Sequence, residues 1–223
     1  MTTATLRTDP TTGPAAVALR APERRGARLA GWSLLAMTLL ALPVAGLLDG
    51  ADRPGTRVAV GTAFLLIAVL DVVVGVGLYA LLRARAHSSA YAALVSRTGY
   101  AVLLAASAGR LLRPGGGGVE TFRADWALAL VVFGLHLVIT AVALHASRVV
   151  PFLVVASTAL AGAAYLLDES LARWADVGWG PVLVPFMLGE LVLMGWLLRV
   201  AHRRPNGVRS GAGRVVKDSV DAS

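Results

Sequence analysis

The sequence predicts an all-α membrane protein, a bundle of six transmembrane helices with both termini in the cytoplasm. Composition points there first. Of 223 residues, 57% are hydrophobic and 15% charged, with a mean hydropathy of +0.70, which is more apolar than a soluble domain tolerates. The apolar residues also gather into stretches of about 20, the length that crosses a hydrocarbon core of roughly 30 Å in helical conformation. Finally, the basic residues are spread unevenly over the flanks of those stretches, and Lys and Arg are retained on the cytoplasmic side.

Residues 1–28 are rich in Thr, Pro and Ala and end in clustered Arg24, Arg25 and Arg28, so they read as a disordered cytoplasmic arm. The transmembrane domain then spans 29–200. Its first span, 29–48, is longer than a signal-peptide apolar run and no A-x-A site follows, which makes it a retained helix, bent at Pro43. The turn-rich segment DGADRPGTR joins it to the second span, 58–82, as a hairpin. The third span, 90–112, is the least hydrophobic and holds Ser96, Arg97, Ser107 and Arg110.

After it the four glycines Gly115 to Gly118 read as a flexible loop and not as a phosphate cradle, because no strand precedes them and no GK[ST] follows. The fourth span is 126–147 and the fifth 149–167, with Pro151 suited to the first turn of the new helix. The sixth span is 181–200, and 201–223 form a basic cytoplasmic tail.

Counted over the flanks, fourteen Lys and Arg fall on the side of the termini. Arg53, Arg57, Arg113, Arg123 and Arg173 make five on the other, which orients both termini inward. Trp32, Trp126, Trp174 and Trp179 fall near the expected interfaces, where amphipathic rings prefer to sit.

The net charge of +8 does not point to nucleic acid, since the basic residues sit in short flanks and not on a folded basic domain. Their expected partners are the bilayer and its anionic lipids. Absence of cysteine excludes disulfides, thiolate metal sites and thiol nucleophiles from this chain. Heavy use of Ala, Val, Gly and Arg beside the single Lys217 reads as GC-rich coding, hence a multi-pass protein of a bacterial cytoplasmic (inner) membrane.

Four spans carry an ionisable residue near the middle: Asp71, Arg97, His136 and Glu190. A charge at a helix centre costs roughly 2.5–3.5 kcal/mol on insertion scales, so each should face protein or water and find a partner. Asp71, His136 and Glu190 lie close to the midplane by position in their spans, and the long Arg97 side chain can cover the remaining distance, so the four are expected to converge. Tyr100 shares the face of Arg97 at i+3 and Thr140 that of His136 at i+4, giving each a hydrogen-bonding neighbour. Gly75 and Gly134 would let helices approach closely there.

Arg110 reads as an interfacial arginine, His145 lies about 180° around the helix from His136, and Asp168 could reach the site from the outer loop. The central cluster admits two readings: an Asp71–Arg97 ion pair that fixes packing, or a site for a polar ligand, ion or proton.

The blocks LDVVVGVGLYALLR (Leu70 to Arg83), FGLHLVITAVAL (Phe133 to Leu144), LAGAAYLLD (Leu160 to Asp168) and GELVLMGWLL (Gly189 to Leu198) occur in this order. In them the chain resembles the bacterial membrane family named domain of unknown function 4386, over roughly residues 30–200. The resemblance implies a six-helix membrane fold in which the positions of Asp71, His136, Asp168 and Glu190 recur, and it implies no activity. The Arg-rich tails and the glycine run lie outside the matching core.

Three functions are therefore expected to compete. The first is a small transporter or ion- or proton-linked permeation protein, lined by Asp71, Arg97, His136 and Glu190, for which a homo-oligomer would make a large enough pore easier. The second is a non-catalytic membrane scaffold or partner protein. The third is an intramembrane metal- or acid–base-dependent enzyme, which lacks HExxH and GxSxG signatures. No cofactor or metal is expected: His136 and His145 diverge too far for haem, and no span holds a Lys for a retinal Schiff base.

Overall fold

The computed structural model describes residues 19–115, 118–174 and 188–202, for 169–174 the backbone only. The six described helices are α1 (Ala21–Leu47), α2 (Pro54–Leu82), α3 (His87–Leu112), α4 (Gly118–Ser147), α5 (Phe152–Trp174) and α6 (Gly189–His202), with a short 3-10 turn Leu48–Gly50 after α1. α1 with that turn, α2, α3 and α4 are each long and apolar enough to cross a membrane, and α5 adds a shorter apolar stretch, Phe152–Asp168. The start of the expected sixth span, 181–187, lies outside the described residues, as do residues 1–18 and 203–223.

Three helices exceed the expected bounds by seven or eight residues at one end. α1 begins at Ala21, eight residues upstream, so that Arg24, Arg25 and Arg28 belong to helix and not to an arm. Pro22 suits its first turn, and Glu23 accepts the Arg20 backbone N–H at 2.7 Å. The buried face Glu23, Gly26, Ala27 and Ala30 has helical spacing that the flanking arginines mask. The helix continues through Pro43 to Leu47.

α4 likewise starts at Gly118, because Val119 and Phe122 bury one face while the charges on the other face pair. Arg123 meets Glu120 at 2.8 Å and also pairs with Asp49, and Asp125 meets Arg110 at 2.5 Å. α5 runs on through the acidic Asp168 and Glu169 to Trp174, since a run of good helix formers has nothing to stop it.

Two turns show why they sit where they do. Gly115 and Gly118 take φ of +75° and +73°, a region that glycine enters without penalty, and they bracket the change of direction from α3 to α4. Arg148 closes α4 in the same left-handed region, φ 55°, leaving Pro151 just ahead of α5 and not inside its first turn.

Each helix packs on the next in sequence and α1 packs on α6, which closes the six into a ring. Backbones approach closely at three crossings, one of them where Gly189 of α6 meets the Ser157 carbonyl of α5. A Cβ on Gly26 would stand 2.6 Å from Gly77 O, and one on Gly134 would stand 2.9 Å from Gly162 O, so only glycine fits at these contacts.

Outward, the ring exposes large apolar side chains such as Leu39, Leu42, Val102, Leu135 and Phe152, the surface expected of a bundle solvated by lipid. Inward there are two apolar layers. One is built around Phe64, Leu104, Phe122 and Phe133, the other around Leu34, Leu78, Leu144 and Leu197. The molecule is an all-α membrane bundle, and a layer of polar residues separates its two cores.

Candidate functional site

Between the apolar layers, α2 supplies Asp71, α3 Arg97, α4 His136 and Thr140, and α6 Glu190. On α2, Asp71 falls between Ala68 of one layer and Val74 of the other. On α4, His136 and Thr140 fall between Phe133 and Ala141. Gly75, one turn beyond Asp71, lies close against α3: a Cβ there would stand 3.0 Å from Leu94 Cδ1 and in ordinary contact with the Arg97 stem.

Arg97 is the hub, and it is completely enclosed. Its Nη2 lies 2.6 Å from Asp71 Oδ1, and its Nη1 donates to Glu190 Oε1 at 3.0 Å and to His136 Nε2 at 3.1 Å. The guanidinium also lies over the Phe133 ring, 5.5 Å from its centroid, in cation–π range. α3 and α6 are not neighbours in the ring, so the Arg97–Glu190 pair is a strut across it.

These contacts assign the histidine tautomer. A guanidinium can only donate, so His136 Nε2 accepts and the imidazole proton is on Nδ1, which donates to Ala93 O at 2.9 Å. Thr140 Oγ1 stands 3.2 Å from Nε2, and Ser96 Oγ 3.4 Å from Nδ1. His136 is thereby a neutral acceptor for Arg97.

Charge does not balance in this layer. One guanidinium faces two carboxyl groups beside a neutral imidazole, so with both carboxylates ionised the layer carries one net negative charge in a low-dielectric interior. Hydrogen bonding is also incomplete. The Nη2–Oδ1 approach is close but not aligned as a hydrogen bond, and Asp71 Oδ2 and Arg97 Nε, both buried, have no hydrogen-bond partner among the described residues. Enclosed polar atoms of native proteins are nearly always satisfied, so these two mark the part of the layer suited to a further polar species.

The structure thus brings Asp71, Arg97, His136, Thr140 and Glu190 together, and leaves two other candidates apart. Tyr100 does not hydrogen-bond Arg97; it is buried one turn away with its ring 4.7 Å from that of Phe133, in the aromatic part of the apolar layer. Asp168 is half-buried on α5 with no hydrogen bond or ion pair to the layer among the described residues. The start of α6 packs at Ser157 and Ala161, which leaves Asp168 about 10–16 Å farther along α5 at the helical rise.

Phe133 and Ser96 belong to the site's surroundings, and neither was among the expected site residues. Phe133 precedes His136 by three, a spacing that places it on the same helical face, whereas Ser96 adjoins Arg97 and gives no such signal. A second buried ion pair was also unforeseen. Glu23, 2% exposed, meets Arg85 of the α2–α3 turn at 2.5 Å and ties the start of α1 to the terminus-bearing end of the ring.

Among the described residues no group of three His, Asp or Glu side chains is arranged to hold a metal ion. Arg97 stands between the carboxylates and the imidazole, and its charge would oppose a cation there.

No curated protein and no solved structure matches the chain. One family model does, described as Domain of unknown function (DUF4386), and it covers residues 118–201, from the first turn of α4 to the last of α6. That stretch includes His136, Thr140, Asp168 and Glu190 and three of the four blocks of resemblance; Asp71 and Arg97 precede it. Residues 118–201 of this multi-pass membrane protein match the DUF4386 family model.

Proposed function

We propose that the protein is a small proton-linked permeation protein of a bacterial cytoplasmic membrane, with both termini inside and the Arg97 layer as its working site. The observation that supports this reading is the single guanidinium facing two carboxyl groups between two apolar cores. One added proton would bring such a layer to neutrality, and proton relays through membranes use chains of Asp, Glu and His in this way. Six short-looped helices without a nucleotide-binding motif would draw energy from an ion gradient. The basic termini would rest on anionic lipid, and a homo-oligomer would widen the path.

The test is proton flux into vesicles. The purified protein is reconstituted with a pH-sensitive dye inside, and a pH jump is applied outside. Flux above that of protein-free vesicles, abolished by Glu190→Gln and by Asp71→Asn at unchanged folded yield, is the expected result; wild-type flux equal to that of empty vesicles would refute the reading.

A scaffold reading has one observation of its own, the complete burial of the Asp71–Arg97 pair. It predicts that the same two substitutions lower the folded yield and change no flux.

A further inference from the structure

The unsatisfied edge of the polar layer has a defined chemistry. Arg97 Nε can only donate, ionised Asp71 Oδ2 can only accept, and both lie at the same ion pair without a hydrogen-bond partner among the described residues. A ligand that satisfies both must present an acceptor toward Arg97 and a donor toward Asp71 within one small group.

Charge narrows the class further. The layer already holds two carboxyl groups for one guanidinium, so a free anion would add a second uncompensated negative charge, while a cation would have to enter beside Arg97. A neutral molecule meets neither obstacle. Phe133, under the guanidinium, offers an apolar neighbour and no competing acceptor.

We infer that the Arg97–Asp71 edge binds a small undissociated carboxylic acid, its carbonyl oxygen accepting from Arg97 Nε and its hydroxyl donating to Asp71 Oδ2. An acid bound in that form brings its proton with it, so the proton-linked permeation proposed above becomes co-transport of a carboxylate and a proton. The inference rests on that reading and gives it a substrate class. Acid amides share the adjacent acceptor and donor and cannot ionise, which makes them mimics of the bound form.

The experiment uses wild-type proteoliposomes with isotopically labelled lactate outside and lactamide, choline or chloride as competitors. Labelled lactate is expected to enter faster than into protein-free vesicles and to be competed by lactamide but not by choline or chloride. Asp71→Asn, which loses the charge-assisted acceptor, is expected to slow uptake about tenfold or more.

Competition on the wild-type protein decides the matter even if that variant fails to fold. Proton flux without lactate uptake or lactamide competition would overturn the ligand class and leave the permeation reading standing. Competition by choline would instead make the edge a cation site. Absence of both proton flux and lactate uptake would overturn the two proposals together.

Discussion

Replacing Arg97 by Met keeps an unbranched apolar stem and removes the charge on which the layer is built. In the native bundle the guanidinium is 0% exposed, holds Asp71 Oδ1 at 2.6 Å and Glu190 Oε1 at 3.0 Å, and donates to His136. Without it, two carboxyl groups face each other with no cation between them, and the His136 acceptor loses its donor. Removing one partner of a buried ion pair costs about 3–5 kcal/mol, because the other is left buried and uncompensated.

On a chain of this size that corresponds to a fall in melting temperature of about 10 °C. The measurement is thermal unfolding of the purified protein in detergent, followed by size-exclusion chromatography of the heated samples. Neutralising the carboxyl groups as well, in Arg97→Met with Asp71→Asn and Glu190→Gln, should recover most of the loss, since a buried ion cluster and its uncharged counterpart often differ little in stability. A single variant as stable as wild type, or a triple variant as damaged as the single one, would refute the idea that uncompensated charge dominates this layer.

Other substitutions separate the layer from its frame. Gly134→Val should destabilise by about 1–3 kcal/mol through overpacking, because the new side chain meets Gly162 O and the backbone at Leu166, neither of which can swing aside; unfolding in detergent measures it. Glu23→Ala should lower the melting temperature clearly, having removed the buried partner of Arg85, whereas Asp125→Ala, which opens a largely solvent-facing pair with Arg110, should cost about 1 kcal/mol or less. His136→Phe should weaken proton flux more than stability, because it removes the acceptor of one Arg97 N–H and leaves both ion pairs in place; the vesicle assay and the melt together check this.

Asp71, Arg97, His136 and Glu190 could be read from the sequence for one physical reason. An ionisable group in the middle of an apolar span is too expensive to leave facing lipid, so position alone forecasts burial and a partner. Residues near the ends carry no such penalty. Glu23 stands among arginines in a stretch that resembles an arm, and its burial depends on the Gly26–Gly77 crossing and on Arg85, sixty-two residues away. The first two turns of α4 were hidden by Glu120, Arg123 and Asp125, whose charges read as loop until their partners are known.

Tyr100 shows the limit of helical spacing. It lies one turn from Arg97 as expected, but Phe133 offers its ring an apolar partner and the hydroxyl is not drawn to the guanidinium. Asp168 fell outside the layer because α6 begins against Ser157 and Ala161, at least seven residues before Asp168 on α5, so the helical rise carries its carboxyl group away from Glu190.

Solid-state NMR of the protein in lipid bilayers, with the arginine side chains labelled with nitrogen-15 and the carboxyl groups with carbon-13, probes the Arg97 layer directly. The Arg97 guanidinium is expected to correlate with the carboxyl carbons of both Asp71 and Glu190 and also to receive magnetisation from water. A guanidinium that correlates with Asp71 alone and receives nothing from water would contradict that expectation, and would make the layer a dry packing contact.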